Sequence, residues 1–539
     1  MYLRRVIVLL VAWSCAVSGS RAGILAAPGA AERWGIFELA LRGPAEGNPF
    51  LEVELAAEFS DGERTMRVSG FYDGEDVYRV RFMPDTLGTW SFTTRSNRAE
   101  LSGIAGSFET TPAAPGNHGP VGVVNRWHFA YADGTPYRPF GTTIYGWAHR
   151  PETLQEETLR TLAEAPFNKV RMLLTPQNFG RQVPRPERFP YEGTPPRDWD
   201  YTRFNPDFFR HIERRIGDLR DLGIECDLIL FHPYGRMWGL DEMGPENDDR
   251  LVRYVVARFA AFRNIWWSMA NEYDFVRWKQ PEDWDRCFQV VQASDPYGRL
   301  RSIHNGFQIY NATLPWVTHA SIQSGAAVEE AGRAELLRSA FRKPIVYDEV
   351  KYEGDIERRW GQLDGREMVH RFWSGKVVGT YVGHGECLTN PESIMWISQG
   401  GRLRGESPPR IQFLRTILED GPAEGIEPID KWQEPAGMGG RPGRYYLLYF
   451  GREKPTSWTF ELFKNGIADG MTFTVDVIDT WDMTIERVPG LFTTKKKDAY
   501  HFVDAEGRTV SLPGKPGMAL RILRVGDTSN DPELEVPIE

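Results

Sequence analysis

An apolar run that ends in an amide and a carboxylate occurs at Ile265-Trp-Trp-Ser-Met-Ala-Asn271-Glu272-Tyr273. A second run of similar form is Pro344-Ile-Val-Tyr-Asp348-Glu349-Val350. When the predicted strands in the middle of the chain are counted, these runs are the fourth and the seventh. In a (β/α)8 barrel, active-site residues come from the carboxyl ends of the strands. We therefore expect the two glutamates to face one mouth.

Predicted strands and helices alternate through residues 121–422. The eight candidate strands are 138–145, 169–174, 225–231, 265–269, 300–304, 321–323, 345–347 and 378–382. The clearest helix is 206–222, because Asn205 can cap it, Pro206 suits its first position and Gly223 can end it. We therefore predict a central TIM (β/α)8 barrel. The alternative is a doubly wound sheet, which usually has a glycine-rich phosphate turn; Gly141-Thr-Thr-Ile-Tyr-Gly146 is not one.

Short alternating strands lie on both sides of the barrel. Residues 30–115 contain period-two runs separated by turns, such as 50–55 and 78–82, which predict an N-terminal β-sandwich domain. The same pattern returns in 425–526 and predicts a C-terminal β-sandwich domain. The polar residues 527–539 are expected to form a flexible tail.

The first 22 residues have the form of a cleaved signal peptide. Arg4 and Arg5 precede an apolar run at 6–17, and small residues follow it. That run is too short for a stable membrane anchor, and no later run is long enough to cross a membrane. The sequence thus predicts a secreted or periplasmic protein with no membrane span after cleavage.

Composition narrows the class of partner. The formal net charge is −10 with both signs scattered, which argues against a nucleic-acid partner. The 18 tryptophans favour a carbohydrate partner, although tryptophan also fills protein cores. The three cysteines beyond the signal are far apart and have no zinc-site spacing, and His384-Gly-Glu386 is only a weak metal motif. We expect no metal and no cofactor, and the sequence leaves the oligomeric state open.

A pair of carboxyl groups is what glycoside cleavage requires. One carboxylic acid protonates the departing oxygen while a carboxylate meets the oxocarbenium-like centre. Glu272 and Glu349 are the predicted pair, and Asn271 can hydrogen-bond the 2-hydroxyl of the sugar.

These residues carry a family resemblance. Asn-Glu after strand four and Glu after strand seven resembles the pattern of clan A retaining glycoside hydrolases, which implies that Glu272 is the acid/base and Glu349 the nucleophile. The segments 128–143, 349–354 and 379–386 resemble apiosidase-like barrels of the same clan. The flanking sandwiches, including 82–90, resemble modules often attached to those barrels. The resemblance implies a retaining glycoside hydrolase that acts on a polysaccharide or oligosaccharide.

Other residues at predicted strand ends are candidates for binding the substrate. They are Trp147, His149, Arg171, His232, His304, Gln323, His384, Glu386 and Trp396, with Tyr234 and Asn305 beside them. The resemblance implies that Arg171 braces the nucleophile and that Trp396 is a sugar platform. Strand alternation predicts that Asp348 points away from the face of Glu349. Glu353 is a reserve candidate for the nucleophile.

Two further functions stay open at this point. A non-catalytic carbohydrate-binding protein with a degenerate barrel would bind glycans without cleaving them. A lyase or a transglycosylase could use the same barrel, and a lyase would give unsaturated products.

Overall fold

The computed structural model describes residues 23–178, 185–240, 242–324, 331–429 and 437–526. The predicted signal peptide and the predicted tail at 527–539 lie outside the described residues.

The central domain is a parallel eight-stranded barrel, as predicted. Its strands are β1 (Gly141–Thr143), β2 (Lys169–Leu173), β3 (Glu225–Phe231), β4 (Ile265–Ala270), β5 (Arg301–Ser302), β6 (Ala320–Gln323), β7 (Ile345–Glu349) and β8 (Tyr381–His384). They pair in the order β5-β4-β3-β2-β1-β8-β7-β6. A bridge between His304 and Ser321 connects the two ends of this sheet. The closed order excludes the doubly wound alternative.

Helices cover the outside of the barrel. They are α1 (Glu152–Glu164), α2 (Pro206–Asp221), α3 (Pro245–Phe259), α4 (Pro281–Ser294), α5 (Ala331–Phe341), α6 (Gly365–Val377) and α7 (Ser407–Glu419). Shorter helical turns are Pro49–Glu52, Ala99–Leu101, Trp147–His149, Arg236–Trp238, Tyr273–Phe275, Arg359–Gly361 and Trp396–Gln399. The segment 303–319 between β5 and β6 is irregular and contains no helix.

Helix α2 shows how local sequence sets these boundaries. The side chain of Asn205 accepts a hydrogen bond from the amide of Asp207, and Pro206 occupies the first turn. The helix ends before Gly223, whose φ of 71° suits glycine. The face that packs on the barrel is Phe209, Ile212, Ile216 and Leu219, all fully buried.

A small antiparallel sheet closes the amino end of the barrel. Its strands are Val121–Val124, His128–Tyr131 and Pro136–Tyr137. The ring of Phe129 packs 5.3 Å from that of Trp266 and 5.4 Å from that of Tyr381. Aromatic side chains therefore fill the amino end of the barrel.

The N-terminal domain is a β-sandwich. One sheet has the order Ile24–Ala26, Phe37–Arg42, Val77–Phe82 and Phe71–Tyr72, and the other Ala30–Glu32, Ala105–Thr111, Gly88–Ser96, Leu55–Ser60 and Thr65–Ser69. Stacked rings fill the space between them, with the centroids of Phe37 and Phe108 3.9 Å apart.

A buried ionic cluster joins this sandwich to the barrel helices. Arg258 on α3 contacts Asp73 of the sandwich at 2.7 Å and Glu213 on α2 at 2.9 Å. Arg81 of the sandwich contacts Glu213 at 2.5 Å. Burial alone would raise the pKa of Asp73, but Arg258, Arg79 and Arg210 together outweigh it and lower that pKa.

The C-terminal domain is a second β-sandwich. Its main sheet has the order Glu427–Pro428, Gly437–Arg441, Tyr445–Tyr449, Met518–Val525, Thr472–Asp479, Phe492–Lys496, His501–Asp504 and Glu461–Phe463, and Thr484–Arg487 also pairs with Thr472–Asp479. Ser457–Thr459 pairs with Thr509–Ser511. Two short pairs extend the barrel loops: Tyr191–Thr194 with Asp198–Phe204, and Glu353–Gly354 with Glu386–Cys387.

Candidate active site

A cavity of about 740 Å³ lies at the carboxyl end of the barrel, and both Glu272 and Glu349 line it. A second cavity, of about 720 Å³, lies at the opposite end against the small closing sheet. Its wall contains a single carboxyl group, that of Glu424. Because barrel enzymes place their chemistry at the carboxyl ends of the strands, the first cavity is the candidate active site.

Glu272 is the second residue after β4 and has a left-handed backbone with a φ of 45°. Such a conformation is uncommon for a side-chain-bearing residue and often marks a functional position. The hydroxyl of Tyr234 donates to Oε2 of Glu272, and Nε2 of Gln323 donates to Oε1 at 3.1 Å. Burial raises the pKa of Glu272, and these two hydrogen bonds partly oppose the rise.

Glu349 is the last residue of β7 and is only 6% exposed. Its Oε1 accepts a hydrogen bond from the hydroxyl of Tyr145 and one from Nη1 of Arg171 at 3.3 Å. Nε2 of His304 lies 3.5 Å from the same oxygen. Burial raises the pKa of Glu349 to about 7, and the neighbouring Tyr352 hydroxyl opposes part of this rise.

Asn271 connects the surroundings of the two glutamates. Its Oδ1 accepts from Nη2 of Arg171 at 3.0 Å and lies 3.1 Å from the hydroxyl oxygen of Tyr145. Its Nδ2 donates to the hydroxyl of Tyr234 at 3.2 Å. A continuous hydrogen-bond network therefore runs from Glu349 through Asn271 to the tyrosine that holds Glu272.

Four charged side chains fill the barrel below this network. Nζ of Lys169 contacts Asp227 at 2.6 Å and Asp348 at 2.7 Å. Nε of Arg171 lies 3.7 Å from Asp227 and 3.9 Å from Asp348. Burial raises the pKa of Asp227. Burial alone would raise that of Asp348 too, but Lys169 and Arg171 outweigh it and hold the pKa of Asp348 well below its usual range.

The prediction that Asp348 points away from the face of Glu349 is wrong. Both side chains contact Arg171, Glu349 at Nη1 and Asp348 at Nε. The reason is an irregular register between β6 and β7. Ser321 pairs with Val346, whereas Gln323 pairs with Glu349, so β7 has one extra residue. Such a bulge breaks the alternation of side chains along a strand.

Two other predicted residues reach the glutamates. Gln323 lines the cavity and contacts Glu272. His304 is fully buried. Its Nδ1 lies within hydrogen-bond distance of Ser321 Oγ, at 2.9 Å, and its Nε2 lies 3.3 Å from Oε1 of Gln323. Burial lowers the pKa of His304 well below its usual value, so its ring is neutral. Oδ1 of Asn305 accepts a hydrogen bond from the backbone amide of Gln323 at 3.1 Å and so fixes the backbone of Gln323.

Three predicted residues near β1 and β3 lie away from the cavity. The helical turn Trp147–His149 folds under α2, where Trp147 is fully buried and the ring of His149 stacks on Phe208 at 5.8 Å. His232 is also buried; its ring contacts Thr175 Oγ1 at 3.0 Å and its Nδ1 accepts the amide of Tyr234 at 3.1 Å. His232 therefore supports the loop that carries Tyr234.

Three predicted residues at or after β8 also lie outside the cavity. His384 stacks on Phe167 at 4.7 Å, on the outer side of the strand. Trp396 is only 2% exposed and donates from Nε1 to Thr142 at 2.9 Å, so its ring is not a platform open to a sugar. Glu386 accepts the amides of Arg404 and Gly405, the latter at 2.8 Å.

Glu353, the reserve candidate, supports a helix terminus. Its carboxylate accepts the amide of Glu406 at 2.6 Å and the amide and hydroxyl of Ser407, at the start of α7. A carboxylate in this position satisfies backbone donors that the helix leaves unpaired. Glu353 does not line the cavity.

Several cavity residues were not among the predicted site residues. They are Tyr145, Phe275, Phe307, Lys351, Tyr352, Arg359 and Trp360. Tyr145 ends the predicted first strand, and Lys351 and Tyr352 lie in the segment 349–354 that resembled the family, so these three positions carried a usable signal. The other four lie on an irregular loop or on single helical turns, which are too short for a sequence period to place a side chain.

The described residues contain no group of three or more His, Cys, Asp or Glu side chains that could hold a metal ion. Among the helices that the structure describes, none is long and apolar enough to cross a membrane.

Comparisons with known proteins agree with this architecture. The family model of an apiosidase-like catalytic domain matches residues 124–386. Two domains of unknown function, DUF5060 and DUF5605, match residues 30–97 and 432–523. No curated protein gave a match.

Solved structures of glycoside hydrolases share this fold. A candidate glycoside hydrolase from Bacteroides vulgatus ATCC 8482 is 40% identical, with a TM-score of 0.89 over 92% of this chain and 100% of that one. A family 5 glycoside hydrolase from the same organism is 15% identical, with a TM-score of 0.55 over 76% of this chain and 95% of that one, and shares the fold.

The barrel, its carboxylate-lined cavity and the 40% identical relative place this chain in the glycoside hydrolase class. Within this class, the chain belongs to the family with an apiosidase-like catalytic domain.

Proposed function

We propose that this protein is a retaining glycoside hydrolase in which Glu349 is the nucleophile and Glu272 the acid/base. The observation that carries the proposal is the difference between their surroundings in one cavity. Glu349 contacts the guanidinium of Arg171 at 3.3 Å, which favours its ionised form. Burial raises the pKa of both carboxyl groups, but the side chains that contact Glu272 are a tyrosine hydroxyl and an amide, which carry no charge.

In the first step, an ionised carboxylate oxygen of Glu349 forms a bond to the anomeric carbon. The bond from that carbon to the glycosidic oxygen breaks, and the departing oxygen takes the proton of Glu272. Asn271 is held by Arg171 and Tyr145 and can donate from Nδ2 to the 2-hydroxyl of the sugar. This hydrogen bond strengthens as positive charge develops on the ring.

In the second step, Glu272 takes a proton from water, and the water oxygen attacks the anomeric carbon. The bond to Glu349 breaks and the carboxylate is regenerated. Two inversions give net retention. The charge of Glu349 is absent in the intermediate, which lowers the pKa of Glu272 and suits its change from acid to base.

Azide rescue of Glu349→Ala tests the roles of both glutamates. Wild type, Glu349→Ala and Glu272→Ala are assayed on dinitrophenyl glycosides of glucose, galactose, mannose, xylose, arabinofuranose and galacturonic acid. Azide is expected to restore turnover of Glu349→Ala with inverted glycosyl azide, and of Glu272→Ala with the retained product. Glu357→Gln is the matched control, because Glu357 is an exposed glutamate outside the cavity.

Wild-type turnover by Glu349→Ala without azide would refute the assignment of the nucleophile. An inverted first product from the wild type, seen by NMR, would refute the retaining mechanism. Glycan binding with no hydrolysis of any glycan tried would instead support a carbohydrate-binding protein. Products that absorb in the ultraviolet would indicate a lyase.

We also propose that the chain is exported and cleaved after the segment 1–22, with sandwich domains at 30–115 and 425–526 around a barrel at 121–422. The two arginines and the apolar run near the start support export. N-terminal sequencing of the protein from a secreting host would test the cleavage site, and a mature chain that retains Met1 would contradict it.

A further inference from the structure

The loop after β5 is held rigidly at the cavity mouth. The carboxylate of Asp274 accepts the amide of Gly306 at 2.5 Å, that of Phe307 at 2.7 Å and that of Gln308 at 2.9 Å. Three charge-assisted hydrogen bonds to consecutive amides fix the backbone of this loop. The fold therefore fixes the backbone from which the Phe307 side chain projects.

Phe307 is exposed although it is large and apolar. It is 79% accessible, and its ring meets that of Phe275 edge to face, with centroids 5.2 Å apart. Gly306 permits this contact, because a Cβ there would lie 2.5 Å from the ring of Phe275. This close packing of Gly306 against Phe275 indicates that the loop has a defined position at the cavity mouth.

Both rings line the cavity that contains the two glutamates. Asp274 and Phe275 lie in the helical turn Tyr273–Phe275, directly after Glu272. Under the proposed function, Glu272 must reach the glycosidic oxygen that departs. The part of the cavity wall built on this turn therefore lies on the side of the leaving group.

We propose that Phe307 is a platform for the sugar ring on the leaving-group side of the cleaved bond, and that Asp274 positions it. This inference rests on the proposed function. The flat face of an aromatic ring suits the C–H face of a pyranose or furanose, and most of the Phe307 side chain is exposed. The enzyme then selects substrates with at least one further sugar beyond the bond that it cleaves.

Binding measurements test the platform without relying on turnover. The full chain carrying Glu349→Gln is titrated by NMR with xylobiose, cellobiose, mannobiose, galactobiose and digalacturonate, each compared with its monosaccharide. At least one disaccharide is expected to bind roughly tenfold more tightly than its monosaccharide. Phe307→Ala is expected to remove this gain, a tenfold change equivalent to about 1.4 kcal/mol.

Matched variants separate stacking from other effects. Phe307→Trp should keep the gain, whereas Phe307→Leu, which is apolar but not flat, should lose it. Gly306→Ala should weaken disaccharide binding, because it displaces the supporting ring of Phe275. Tyr500→Ala is the control; Tyr500 is a 57% exposed aromatic residue outside the cavity, and its removal should change nothing.

The platform is refuted if no disaccharide binds better than its monosaccharide, or if Phe307→Ala or Phe307→Leu keeps the gain. Hydrolysis by the Glu349→Gln background would count against the proposed function instead, so the two failures are distinguishable.

Discussion

Replacing Glu349 by glutamine should make the protein more stable at pH 8 but not at pH 4.5. Glu349 is 6% exposed, and burial raises its pKa from the usual 4.5 to about 7 in the folded chain. A carboxyl group with a raised pKa binds its proton more tightly when folded. Its contribution to stability is complete below pH 4.5 and is lost as the pH rises through 7. Glutamine never ionises, so the variant avoids this loss.

The size of the effect follows from the pKa. A shift from 4.5 to about 7 corresponds to about 3 kcal/mol at about 1.4 kcal/mol for each unit. For a barrel of about 300 residues, the entropy of unfolding is roughly 0.6 kcal/mol per kelvin. The melting temperature of Glu349→Gln should therefore exceed that of the wild type by roughly 5 °C at pH 8.

Differential scanning fluorimetry between pH 4.5 and pH 8.5 measures this difference. The gap between variant and wild type should be close to constant near pH 4.5 and widen towards pH 7. Glu357→Gln, an exposed glutamate, should track the wild type at every pH. A gap that does not change with pH, or a variant less stable than the wild type at pH 8, would refute the reasoning.

Three further changes should have defined results. The wild-type kcat/KM should fall about tenfold per pH unit below about 7, because Glu349 must be ionised; an acid limb near 4.5 in the pH–rate profile would contradict this. Arg258→Met removes the most deeply buried cation from Asp73 and Glu213, while Arg79 and Arg81 still contact them, and should destabilise the chain by roughly 1–3 kcal/mol in denaturant unfolding; no measurable loss would contradict it. Arg171→Lys should lower kcat roughly a hundredfold with little change in melting temperature, because a single ammonium group cannot replace the two guanidinium nitrogens that contact Asn271 and Glu349. An unchanged kcat would show that these two contacts are not needed.

The barrel could be predicted from sequence because its strands are buried and its helices have clear boundaries. Asn205 before Pro206 and Gly223 after the helix mark α2 within one residue. The two glutamates could be located because a strand end is a fixed place in a barrel. The same rule predicted the neighbours of the glutamates in or just after β2, β4, β5 and β6, which are Arg171, Asn271, His304 and Gln323.

The rest of the site depends on local backbone geometry that periodicity does not encode. The extra residue in β7 turns Asp348 inward, and no pattern in the run 344–350 reveals it. The helical turn after β1 carries Trp147 away from the mouth. Phe307 lies in an irregular segment, and its position depends on a carboxylate 33 residues earlier in the chain.

The charged side chains in the barrel below the active site affect the pH at which the enzyme is active. Arg171 shares its cation among Asp227, Asp348 and Glu349, so no one of these carboxylates receives the whole charge. Asp348→Asn would leave more of that cation to Glu349 and move the acid limb of activity to lower pH. The pH range of activity can thus be changed through Asp348, which does not line the cavity, while the residues that line it stay as they are.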